Sequence, residues 1–215
     1  MIFETDSIEL YYGTTKILNS VYLKAETGKI TGLLGRNGSG KSSLFNVIFG
    51  HLKSQNSYIR LNDNVYLKPL FSCKRASYLH QKRLIPKGIS VKKAFTFYNL
   101  DLNIFFNKFS ELKINANQKI KTLSGGERRI IEIYLTLMRD VDLVLLDEPF
   151  NHLSPIYVEK IEALLAQEKK HKAIIISDHI FRPILRLSDT IYFLDKGNMK
   201  EIKTKEDLEK LHYIT

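Results

Sequence analysis

Residues 35–43 read GRNGSGKSS, a glycine-rich loop that ends in a lysine and two serines. An apolar run (Ile30, Gly32, Leu33, Leu34) precedes it and a helix-like stretch, residues 42–49, follows. Strand, loop of G-x-x-x-x-G-K-[ST] spacing and helix, in that order, leave few folds open to the chain. Gly35, Gly38 and Gly40 carry no side chains, so the backbone is free to curl and aim its N–H groups inward at phosphates. The N-terminus of the following helix adds partial positive charge to that cradle. Lys41 is positioned to reach the β- and γ-phosphates, and the Ser42 hydroxyl to join a magnesium shell. Asn37, Ser39 and Ser43 belong to the same candidate lining. The loop implies a nucleoside-triphosphate site.

The rest of the chain reads as a mostly parallel α/β sheet. Short β-like pieces fall at residues 7–12 and 21–25, separated by Gly13-Thr-Thr, and at 58–61 and 76–80. The helix after Lys41 is expected to stop at Gly50, a C-terminal cap. Residues 84–138 have helical periodicity, broken at Pro86-Lys-Gly and at 115–117. Three apolar runs, 142–146, 173–177 and 190–194, then alternate with helical stretches. At 215 residues the chain fits one domain, or one domain carrying a subdomain.

Composition narrows the setting. Apolar runs such as 143–146 and 173–176 fall far short of the ~20 residues that a membrane span needs. The acidic amino terminus lacks a long apolar segment, so no secretory signal is expected. Cys73 is the single cysteine, which excludes an internal disulfide and suits a reducing cytosol. The net charge of +10 gathers at 82–93 and 196–210. That charge suits an anionic membrane surface, nucleic acid or solvent alone. No interleaved basic and aromatic pattern of an RNA module occurs, so no nucleic-acid partner is expected.

A magnesium-dependent phosphohydrolase needs a carboxylate for the metal and a group to orient the attacking water. Residues 141–149, VDLVLLDEP, end an apolar run with adjacent Asp147 and Glu148. Ligands of open α/β sheets bind beyond the carboxyl ends of strands, where this pair falls. Asp147 is the candidate metal ligand and Glu148 the candidate for polarising water; solvated strand-end carboxylates are the plainer alternative. Residues 123–127, LSGGE, open a helix, and Ser124 and Glu127 have capping-box spacing. Gly125 and Gly126 go beyond what a cap needs and leave N–H groups open to an anion. Two phosphate surfaces and one carboxylate pair suggest a dimer holding nucleotides between facing subunits.

These phrases, with an aromatic near the start, Gln81 in YLHQ and His179 in ISDH, occur in one order. The chain resembles the nucleotide-binding subunit of the ATP-binding cassette (ABC) family over nearly its whole length. The resemblance implies a P-loop NTPase with a RecA-like mixed sheet core, an N-terminal antiparallel β subdomain and an inserted α-helical subdomain, about residues 84–140, in one ATPase domain spanning 1–215. It implies ATP and Mg2+ as ligands. Tyr12, rather than Tyr11, would stack on adenine, with a core strand aromatic as the alternative. Gln81 would serve the metal and water site, and His179 would contact the γ-phosphate. Ser124, Gly125 and Gly126 would meet the nucleotide of the opposite subunit. The implied partners are a second ABC subunit, identical or different, and an integral membrane permease, with the chain cytoplasmic and peripheral on the inner face of the cell membrane.

After Glu148-Pro149 the family usually runs to Leu-Asp; here Ser154 stands in place of the Asp. Ser154 caps a helix as Asp does, and Pro155 suits the first turn, so altered communication between sites is the expected consequence. The wording GGERR, LLDEPF and SDH is most similar to ATPase subunits of lipopolysaccharide export and branched-chain amino acid import. The rival class is a soluble ABC-type ATPase acting on the ribosome or DNA, supported by the basic pI and by Asn151-His-Leu153.

Overall fold

The computed structural model of the chain describes residues 1–82 and 84–204, with Asp207. Arg83 of the first basic group, and Lys205 and Lys210 of the second, lie outside the described residues. Two sheets stack face to face. Strands β1 (Ile2–Tyr12) and β2 (Thr15–Glu26) form a hairpin, turned at Gly13 with φ 59°. With β4 (Asn56–Leu61) and β5 (Asn64–Val65) they make an antiparallel sheet of order β2-β1-β4-β5. The β1 strand starts five residues before the stretch read from the sequence. A bulge at Ser7 (φ 52°) moves the buried positions from Phe3 and Thr5 to Ile8 and Leu10, which breaks the period-two signal.

The second sheet has the order β10-β9-β3-β8-β7-β6. Its members are β3 (Ile30–Leu34), β6 (Ala76–Leu79), β7 (Leu143–Asp147), β8 (Ala173–Asp178), β9 (Thr190–Asp195) and β10 (Asn198–Ile202). Only the β9–β10 pair is antiparallel. Lys196 (φ 46°) and Gly197 (φ 79°) turn that hairpin. The sequence reading missed β10 because its residues are polar except Met199 and Ile202, as suits an edge strand.

Alternation splits the core. Leu33, Leu143, Leu145 and Ile175 face the antiparallel sheet, and Phe45 of α1 (Lys41–Phe49) joins them. Leu34, Val144, Leu146 and Ile176 face the other helices. Each such aliphatic side chain stabilises the fold by about 1.5–3 kcal/mol on burial. Helix α1 ends at Gly50, in the left-handed conformation expected of a C-cap (φ 97°).

Between β6 and β7 lie α2 (Val91–Tyr98), α3 (Leu102–Lys108), a 3-10 turn (Ile120–Thr122) and α4 (Gly125–Leu137). Helix α2 begins seven residues after Leu84, because Pro86 and Gly88 break the run and Ser90 then caps it through Lys93 N–H. Helices α5 (Pro155–Glu168) and α6 (Phe181–Leu187) follow β7 and β8. Since β3, β6, β7 and β8 run parallel, their carboxyl ends bring four loops to one edge of the sheet.

Candidate active site

The loop after β3 is tight. Gly38 and Gly40 take φ of 81° and 107°, values that side-chain-bearing residues rarely adopt. At Gly35 a Cβ would lie 2.5 Å from Leu194 O and 2.6 Å from Ser39 Oγ. Lys41 is buried and donates from Nζ to Gly35 O (2.6 Å) and Arg36 O (3.2 Å), so the loop closes around its own ammonium. Burial pulls the Lys41 pKa down, opposed by the charges of Glu148, Asp147 and Asp178. Ser39 Oγ is buried without a partner, an unmet polar group within the cradle.

Beneath the loop, Ser42 Oγ donates to Asp147 Oδ2 at 2.6 Å. Asp147 is fully buried and takes further bonds from Ser177 Oγ to Oδ1 and from Tyr78 OH to Oδ2 (3.3 Å). Burial and the neighbouring carboxylate push the Tyr78 phenol far above its ordinary pKa, so it remains a donor. A hydroxyl and a carboxylate in contact, both hard oxygen donors, fit Mg2+. The glycine cradle and the buried lysine fit a triphosphate.

Glu148 has a left-handed backbone (φ 48°), and its N–H donates to Ser177 O at 2.9 Å. Its side chain is held from both ends. Asn151 Nδ2 donates to Oε2 at 2.8 Å, and His179 Nδ1 lies 3.0 Å from Oε1. His179 Nδ1 is also 3.3 Å from Asp178 Oδ1, a carboxyl whose pKa burial raises.

A cleft of about 460 Å3 joins these parts, lined by Asn37, Gly38, Gly40, Lys41, Ser42 and Ser43 of the loop and by Tyr12, Gln81 and Glu148. Tyr12 is 52% exposed, with its OH 3.2 Å from Ser43 Oγ, and so is no core aromatic. Gly35 and Ser39 belong to the loop but not to that lining, Asp147 contacts Ser42, and His179 flanks Glu148. Ser124 and Gly126 are not brought there: they line a separate cleft of about 480 Å3 with His152 and Ser154. Gly125 opens on a smaller cleft, about 190 Å3, which Gln81 and Glu148 also line. Ser124 accepts Glu127 N–H, and Glu127 accepts Ser124 N–H, completing the capping box. Ser154 occupies the N-cap of α5, but its side chain makes no cap bond.

Sequence reasoning missed Tyr78, Asn151 and Ser177, all of which hold the carboxylates. It also missed Arg129, which donates to the carbonyls of Asp147 and Glu148. Only their closeness to named motifs could have flagged them; side-chain direction is invisible in the string.

The profile of one family, described as ABC transporter, matches residues 18–151. The chain belongs to the ABC transporter family. An uncharacterised ABC transporter ATP-binding protein of Rhizobium meliloti (strain 1021) is 32% identical, over 94% of this chain and 82% of its own length. The lipopolysaccharide export system ATP-binding protein LptB of Haemophilus influenzae is 25% identical, over 96% of this chain and 92% of its own. Among solved structures, an ATP-binding subunit of an ABC transporter superposes with a TM-score of 0.85 at 20% identity, covering 99% of this chain and 93% of that one. That match carries the fold, a P-loop NTPase of mixed α/β build. ABC ATP-binding subunits are ATPases, and this ABC chain is one. Among its described residues no helix is long and apolar enough to cross a membrane.

Proposed function

We propose that this ABC subunit hydrolyses Mg·ATP between two copies, or two related subunits, closed head to tail, and so drives a separate membrane permease. The observation that carries the reading is the line Lys41–Ser42–Asp147–Glu148–His179 at one sheet edge, with Ser124 and Gly126 set apart in a separate cleft. Tyr12 offers an exposed ring to adenine, and the loop N–H groups and Lys41 receive the phosphates. Ser42, Asp147 and Gln81 are the residues that would hold magnesium. When bound, the metal neutralises charge on the β- and γ-phosphate oxygens. Glu148, aimed by Asn151 and His179, orients and polarises the attacking water. His179 adds a contact to the γ-phosphate.

Residues 1–215 act as one ATPase domain, with about 84–140 as its helical arm. Ser124, Gly125 and Gly126 meet the nucleotide of the opposite subunit. ATP drives closure only as far as it binds the closed pair better than the open one, and these contacts supply that difference. The subunit works on the inner face of the cell membrane beside its permease; the LptB relative is by its name the ATP-binding protein of a lipopolysaccharide export system. Sizing of Glu148→Gln with saturating ATP tests the reading. The variant is expected to accumulate as a dimer while releasing phosphate about a hundredfold more slowly or worse. A monomeric Glu148→Gln that hydrolyses ATP normally would overturn both the pairing and the role of Glu148.

A further inference from the structure

Helix α4 buries two charged side chains for which the proposed chemistry gives no use, Arg129 and Glu132, 7% and 2% exposed. They are a poor ion pair, with Arg129 Nη1 3.9 Å from Glu132 Oε2. A buried pair of that kind is weak evidence for stability by itself. Their hydrogen bonds go elsewhere. Arg129 Nη1 donates to His80 O (2.8 Å), and Nη2 to Asp147 O (2.6 Å) and Glu148 O (2.9 Å). Glu132 Oε1 accepts Leu84 N–H at 3.1 Å.

His80 immediately precedes Gln81, and Leu84 follows it by three residues. One turn of α4 therefore grips the Gln81 segment from both sides and, with the same guanidinium, the carbonyls that set Glu148. That second grip holds Glu148 in a left-handed conformation that side-chain-bearing residues rarely adopt. The planar fork of arginine suits three carbonyls from two loops, as a point-like ammonium does not. The turn lies directly behind the Gly125–Gly126 end of α4.

We infer that Arg129 and Glu132 are positioning residues that register Gln81 against Glu148 and tie both to the start of α4. This rests on the reading of Gln81 and Glu148 given above. Its consequence is that loss of Glu132 changes turnover more than it changes nucleotide affinity.

A double-mutant cycle on the full chain tests it, with phosphate release for kcat and a fluorescent ATP analogue for affinity. Glu132→Ala is expected to lower kcat about tenfold while affinity stays within about twofold. Glu132→Gln, which keeps an oxygen for Leu84 N–H, restores most of that loss. In a Gln81→Ala background, Glu132→Ala is expected to add less than about twofold, because both act through one segment. Arg129→Lys gives a loss of the same kind, and the Glu132 cycle stands without it if that variant fails to fold. Additive losses, parallel falls in kcat and affinity, or Glu132→Gln as impaired as Glu132→Ala would overturn the inference. Unchanged turnover in Gln81→Ala and Glu148→Gln alone would instead remove the site reading beneath it.

Discussion

The loop at residues 35–40 and the helix start at 124–126 both carry glycines, and they need them for different reasons. In the first, the chain itself demands glycine. Gly38 and Gly40 have left-handed φ, and a Cβ on Gly35 would sit 2.5 Å from a carbonyl oxygen. In the second, Gly125 faces open space, and a Cβ on Gly126 would approach only His152 O, at 3.0 Å. Neither is among the positive-φ residues, and the Ser124–Glu127 capping box holds the helix start without them. Glycine at a helix start is less favourable than alanine by up to about 1 kcal/mol. A glycine that its own fold does not require points to a body approaching from outside. In the proposed function that body is the nucleotide of the second subunit.

The largest expected effect falls on the first loop. Lys41→Ala should lower phosphate release by about a hundredfold or more, with the fold retained by circular dichroism. Normal turnover would dissolve the distinction, since the closed loop would then be scaffolding only. The glycine pair sharpens it. Gly35→Ala overpacks its site and should cost about 1–3 kcal/mol, which a thermal melt reads as a drop of roughly 3–10 °C. Gly125→Ala should leave the melting temperature unchanged or slightly raised, yet slow hydrolysis about tenfold. Should the two variants exchange behaviours, the comparison fails.

The same contrast explains what was legible in the sequence. The phosphate loop was readable because its chemistry is carried by the backbone, and glycine spacing records backbone demands directly. Asp147, Glu148 and His179 were readable because each ends or follows a buried β-run in the string. Tyr78, Asn151, Ser177 and Arg129 were not, because their part depends on side chains converging from β6, the loop after β7, β8 and α4. In the fold, the parallel strands were legible as apolar runs, whereas β10 and the first residues of β1 were hidden by an edge position and a bulge.

Ser154 offers a smaller test at the second region, since it lines the same cleft as Ser124 and Gly126. Its side chain caps nothing, so Ser154→Asp adds an acceptor and a negative charge at the start of α5. The gain should be about 0.5–1 kcal/mol, a rise of about 1–4 °C in melting temperature. If the Hill coefficient for ATP moves while the melt does not, position 154 serves communication between subunits rather than capping.

The smallest effect concerns His80, whose carbonyl Arg129 of α4 fixes and whose ring meets Phe49 of α1, the helix that follows the first loop. The His80 ring lies 3.7 Å from that of Tyr78 and stacks on His51 at 5.2 Å. Burial, and secondarily the charge of His51, pull its pKa down to about 4. An unfolded histidine titrates near 6.5, so between these values the unfolded chain binds a proton that the folded chain does not. The His80 contribution is therefore complete above pH 6.5 and is lost progressively as pH falls toward 4. Partial exposure of the ring screens it, and the melting temperature should fall between pH 7 and pH 5 by about 1–3 °C more than in His80→Gln. A Cβ on Gly35 would meet Leu194 and Ser39, and one on Gly125 nothing within 4 Å, so Gly35→Ala and Gly125→Ala should keep the wild-type slope. A slope altered by Gly125→Ala alone would mean that the start of α4 reaches into the His80 packing, and the two regions would no longer be separable.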